Sequence, residues 1–82
     1  MSHTPHELRD AFPDSVEVLH ALKVGNAHFA SLADRYHDIN REIHRIESEV
    51  EPATDERTEA LKKQRLALLD EISALVEQAK AA

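Results

Sequence analysis

Apolar side chains recur along this chain at heptad spacing. Leu22, Phe29, Tyr36, Ile43 and Val50 lie seven apart, and Leu32, Ile39 and Ile46 follow three of them at a distance of three. A second series, Leu61, Leu68 and Leu75 with Ile72 and Ala79 interleaved, begins just beyond Glu51-Pro52-Ala53-Thr54. Spacings that alternate between three and four keep such residues on one face of an α-helix, where they form a seam against a partner helix. Two seams separated by a proline-containing segment predict two long amphipathic helices that fold back on each other.

The boundaries follow from local chemistry. Thr4-Pro5-His6-Glu7 has the pattern of a capping box, with proline in the first helical position, and predicts a short helix over about residues 5–11. Pro13 disfavours the helical conformation at Phe12 and closes that element. Asp14-Ser15-Val16-Glu17 offers a second start, so helix A is expected from about residue 14 to about residue 49. Pro52 stops it in the same way, giving a turn over residues 50–54. Thr54 is then a good N-cap for helix B, expected from about 55 to about 79, with Asp55 and Glu56 where the helix dipole favours anions. So short a connection makes the two helices antiparallel.

Gly25 interrupts helix A. It stands seven residues before Leu32, where the interleaved series would have its next member, and a helix-interior glycine costs roughly 1 kcal/mol relative to alanine. A kink or a close helix crossing is the favoured explanation. The alternative is that Asn26 caps a separate helix and residues 14–24 form their own element.

An 82-residue chain suits one domain, residues 1–82, and has difficulty burying a core large enough to offset its conformational entropy. Only one glycine, one tyrosine and two phenylalanines accompany an apolar fraction of 41%, a balance that suits helices rather than sheets. The fold class expected is therefore all-α: an antiparallel, coiled-coil-like long helical hairpin preceded by a short N-terminal helix. Helix A carries a narrow seam. Helix B is wider, because Leu69 and Val76 lie beside its seam and Leu66 sits further round. A bare hairpin would leave these three wet. Either Leu8, Phe12, Val16 and Leu19 fold over them, or a second copy of the chain does. Isolated two-helix hairpins are rarely stable, so a homo-oligomer is expected, most simply a dimer forming a four-helix bundle. Leu66, Leu69, Val76 and Phe12 are the candidate oligomer or partner surface.

Charge excludes some partners. A formal net charge of −6 argues against a nucleic-acid binder, whose affinity comes largely from neutralising phosphates, and against docking on an anionic membrane. No stretch of about 18 apolar residues is present to span a bilayer. Met1 to Glu7 shows no basic start followed by an apolar run, and the chain has no cysteine, so a cytoplasmic location is expected. On the helix surfaces, Glu59 is spaced to pair with Lys62 and Lys63, and Arg45 with Glu42 and Glu49.

Little in the chain carries chemistry. Of six histidines, His37 and His44 share a face but stand two turns, or roughly 10 Å, apart, too far to ligate one ion. His3 and His6 have usable spacing near the terminus, while His20 and His28 pair with nothing. Asp34, Asp38 and Glu42 form acidic i,i+4 pairs with no cleft to desolvate them, and Ser31, Ser48 and Ser73 have no evident base. No enzyme activity, cofactor or metal is therefore expected. A basic patch, Arg57, Lys62, Lys63 and Arg65, covers the first half of helix B. Arg65 falls within the seam between Leu61 and Leu68. Its expected role is to pair with Glu42 or Glu47 and so fix register, as polar seam residues do in coiled coils. Its functional reading is a docking point for an acidic protein or RNA.

Several strings together resemble the YdcH-like family. They are Phe12-Pro13, His20-Ala21-Leu22-Lys23-Val24, Ala27-His28-Phe29, Tyr36-His37 through Ile43-His44-Arg45, and Val50-Glu51-Pro52. Thr54-Asp55-Glu56 and Leu61-Lys62-Lys63-Gln64-Arg65-Leu66 through Asp70-Glu71-Ile72 continue the match over nearly the whole chain. The resemblance implies a small bacterial helical hairpin of unknown role, with no catalytic or cofactor residues to transfer. Gly25-Asn26 departs from the Ser-Asp pair associated with this position. A self-associating, noncatalytic scaffold or adaptor with an unknown protein partner is the favoured expectation, an RNA-associated accessory factor the second, and a metal-binding protein the third.

Overall fold

A computed structural model describes residues 7–49 and 52–81. Four α-helices follow one another with no strand among the described residues: α1 (Leu8–Ala11), α2 (Val16–Gly25), α3 (Ala27–Glu47) and α4 (Asp55–Ala81). A single 3₁₀ turn, Pro13–Ser15, links the first two. The helices α3 and α4 form the expected all-α hairpin, within a body measuring 43 × 28 × 19 Å.

Each helix end has a local cause. The Oγ1 of Thr54 accepts the backbone N–H of Arg57 at 3.1 Å, so α4 starts at the expected cap. At the other side of the turn, α3 stops at Glu47, two residues before the expected end. Ser48 Oγ donates to the His44 carbonyl at 2.7 Å, and Glu49 adopts φ 62° while its N–H reaches the Ile46 carbonyl at 3.1 Å. A left-handed residue one past the cap satisfies carbonyls that the helix would otherwise leave open. Glycine is usual there; a glutamate adopts this conformation at a steric cost of roughly 1–2 kcal/mol.

Two start signals behave differently from expectation. Glu7 caps α1 through a reciprocal box with Asp10, whose carboxylate accepts the Glu7 N–H at 3.3 Å. The Thr4-Pro5 box lies outside the described residues. Ser15 makes no side-chain cap, because Pro13 first closes a 3₁₀ turn in which the Ser15 N–H bonds to the Phe12 carbonyl. The α-helix therefore begins at Val16 rather than near residue 14.

Helix A is two helices. Asn26 adopts an extended conformation (φ −135°, ψ 104°), and its Oδ1 accepts the Phe29 N–H at 2.9 Å, which is the N-cap of α3. Its own N–H closes α2 on the Leu22 carbonyl at 2.8 Å. The kink reading of Gly25 is thereby corrected. So is the close crossing, since a Cβ at Gly25 would meet nothing within 4 Å.

The break decides the packing. By turning the chain at Asn26, it lets α2 fold back and pack on both α3 and α4, making a three-helix body over half the hairpin. Phe29, Leu32, Ala33 and Tyr36 of α3 meet Leu68, Ile72 and Val76 of α4 in one core, which Leu8 joins from α1. Half-buried Phe12, Val18, Leu19 and Leu22 cover it from the N-terminal side. Of helix B's extra stripe, Leu69 and Val76 are thus covered by the chain itself, Val76 completely. Towards the turn, Ile43 and Leu61 are buried and Ile46 is half-buried.

Candidate functional site

Every seam residue named from the heptads and described here is buried or half-buried: Leu22, Phe29, Leu32, Tyr36, Ile39, Ile43, Ile46, Leu61, Leu68, Ile72 and Leu75. Val50 lies outside the described residues. The seam also holds a polar layer. Asn40, one turn beyond Tyr36, is buried, and its Oδ1 accepts from Nη1 of Arg65 across the hairpin at 3.0 Å. This corrects the expected partners of Arg65, since Glu42 and Glu47 are engaged elsewhere. Arg57 pairs with Glu42, and Lys62 Nζ lies 3.4 Å from Glu47. An α4 cation thus reaches each α3 acid that the sequence offered to Arg65.

Burial pushes the Tyr36 hydroxyl above the ordinary phenol range; nearby Arg65 opposes that shift and Asp10 of α1 adds to it. The same residue meets His37 edge-on, with ring centroids 6.1 Å apart. Tyr36 thus stands where α1, α3 and α4 converge electrostatically.

The basic patch is largely spent inside the hairpin. Arg57 and Lys62 hold acids of α3, Arg65 is half-buried with its hydrogen bond to Asn40, and Lys63 is the one of the four with no such cross-helix contact among the described residues. The cross-helix pairs replace two that were expected along single helices: Glu42 takes Arg57 rather than Arg45, and Lys62 takes Glu47 rather than Glu59. A long cationic side chain over a hairpin seam reaches the opposite helix as readily as the next turn of its own.

The candidate partner surface is rearranged as well. Val76 is buried, while Phe12 and Leu69 are half-buried and packed on the core, so these three are corrected as free surface. The reason is α2, which occupies the space a second chain was expected to fill. Leu66 stays 59% exposed. It is joined by two residues of α2 that the heptad count did not single out for exposure, Val16 at 51% and Val24 at 77%.

An open cleft of about 450 Å³ runs between α1, α2 and α3. Leu8, Phe29 and Ala33 form its floor and Leu19 and Val16 one wall. Lys23, His20 and His37 stand on its rim, together with Arg9, whose Nε lies 3.3 Å from a carboxylate oxygen of Glu7. The sequence pattern gave no sign of this cleft, because it arises from the turn at Asn26. Among the described residues no group of three or more histidine, aspartate or glutamate side chains is placed to hold a metal ion. His3 and His6 lie outside those residues. No described helix is long and apolar enough to cross a membrane.

No curated protein and no solved structure matches the chain. A family model described as "Protein of unknown function (DUF465)" matches residues 29–76, which run from the first turn of α3 to the core valine near the end of α4. That span is the hairpin with its polar layer and cross-helix ion pairs, and it covers more than half of the sequence: the chain belongs to the DUF465 family.

Proposed function

We propose that this protein is a noncatalytic, self-associating helical adaptor of the YdcH-like kind, acting in the bacterial cytoplasm by contact with other protein chains. The observation that carries this reading is the set of exposed aliphatic side chains, Val16, Val24 and Leu66, on a small domain whose core is already closed. Closure matters here. Once α2 covers Leu69 and Val76, Val16, Val24 and Leu66 are left in water by the fold, and burying any of them against another chain would be favourable. A dimer is the simplest assembly, with Leu66 in its interface.

The RNA-associated reading draws less support. Arg57, Lys62 and Arg65 are already matched by Glu42, Glu47 and Asn40, so phosphate binding would have to break contacts that hold the hairpin.

Sedimentation equilibrium over micromolar concentrations tests the proposal. A dimer that Leu66→Gln converts to monomer, with unchanged helicity, is the expected result. A monomer throughout the range overturns self-association.

A further inference from the structure

The cleft between α1, α2 and α3 is separate from Leu66 and goes beyond the self-association reading. Its floor is apolar, through Leu8, Phe29 and Ala33, and its rim carries the ammonium of Lys23, the imidazoles of His20 and His37, and the mutually paired Arg9 and Glu7. A cationic and donor-bearing rim is notable in a chain of net charge −6. The volume of about 450 Å³ falls within the range of ligand clefts, roughly 300–1,000 Å³. The cleft is open along one side, so it suits a segment lying in a groove better than a small molecule, most of whose surface must be enclosed.

At one end, α1 presses Leu8 into the floor until it is 6% exposed. On either side of that leucine, Glu7 meets Arg9 and Asp10 stands close enough to Tyr36 to act on it electrostatically. The α1 end of the groove is thus apolar at its base and carries both signs of charge. The remainder, along Val16, His20 and Lys23 of α2, has the same apolar floor and more positive charge. Val16 on its wall is 51% exposed among the described residues.

We propose that this groove binds an acidic peptide segment of another protein, with a leucine or similarly sized apolar side chain on the floor and carboxylates on Lys23, His20 and His37. Lys23 supplies the charge; the imidazoles supply further N–H donors. Charge at such a rim acts mainly on association rate and salt dependence, and the apolar anchor on residence time.

Panning a random dodecapeptide library on the full chain tests this, followed by titration of the selected peptides by NMR. The expected result is enrichment of sequences joining Asp or Glu to Leu, Met or Phe, with amide shifts confined to α1, α2 and the first half of α3. Lys23→Glu should weaken the selected peptides by about tenfold or more, and added salt should weaken them in the wild type. Val16→Asp should do the same from the apolar side. Both positions are exposed, and retained helicity by circular dichroism verifies that each variant is folded. No enrichment, a neutral or basic consensus, or binding indifferent to both substitutions overturns the proposal. So does a wild-type dimer that Val16→Asp or Lys23→Glu dissociates while Leu66→Gln does not, for then a second copy of the chain occupies the groove.

Discussion

Nη1 of Arg65 donates to the Oδ1 of Asn40 at 3.0 Å, from one long helix to the other and inside the apolar seam. The pair is neutral on one side and charged on the other, and it sits next to Tyr36 rather than at the hairpin's edge. A hydrogen bond at this depth fixes register: sliding α4 by one turn would separate the two groups by about 5.4 Å and leave Asn40 facing aliphatic neighbours.

Breaking that bond from one side should therefore cost more than removing both partners. Arg65→Leu is expected to destabilise the fold by about 1–3 kcal/mol, because the buried Asn40 oxygen loses its charged donor. The double variant Asn40→Leu, Arg65→Leu should recover most of that loss and could exceed the wild type, as replacement of buried polar pairs by packed aliphatics often does. Urea unfolding of the three proteins measures it; additive losses would show that the pair is not coupled.

The break at residues 25 and 26 makes opposite predictions for neighbouring positions. Asn26→Ala removes the acceptor for the Phe29 N–H and should cost about 1 kcal/mol. Gly25→Ala should stabilise by roughly 0.4–1 kcal/mol, since the position is helical, its φ is not positive, and an added methyl meets open space. Thermal melting of both variants discriminates this arrangement from a tight crossing, in which the alanine would clash.

Val76 and Leu66 both lie outside the two-position seam of helix B and differ in the fold. Val76→Ala should lose about 2 kcal/mol, from the two methyl groups removed and the cavity left beneath α2. Leu66→Ala should change the stability of the monomer by no more than about 0.5 kcal/mol. Denaturant midpoints at a protein concentration too low for association make the comparison.

Tyr36 gives the fold an alkaline limit. Burial raises its folded-state pKa above the unfolded value of about 10, so the neutral phenol is the form the native state favours. Its contribution is fully present below pH of about 10 and is lost as pH rises through the higher folded value. The stability of the wild type should fall more steeply than that of Tyr36→Phe across that alkaline window. Because this is the chain's only tyrosine, phenolate absorbance follows the same group directly.

The heptads of Phe29, Tyr36, Ile43, Leu61 and Leu68 determined by themselves that two long helices would pair, and Pro52 with Thr54 determined where the chain reverses. These are local matters, set by periodicity, by proline sterics and by one hydroxyl in reach of one N–H, so they are legible residue by residue. Asn26 was legible only as one of two alternatives, because a cap and a kink share the same short sequence and differ in where the preceding helix goes. Tertiary structure decided that. With α2 folded back, Val76 became core, Ala33 joined a stripe wider than the two-position seam, and the cleft beside Lys23 opened. It decided the partners of Arg65 as well, because long cationic side chains choose among acids within reach, and reach depends on how two helices are set side by side. Which surface was left for a partner depended on a three-dimensional remainder: the apolar area that one chain, folded on itself, fails to cover.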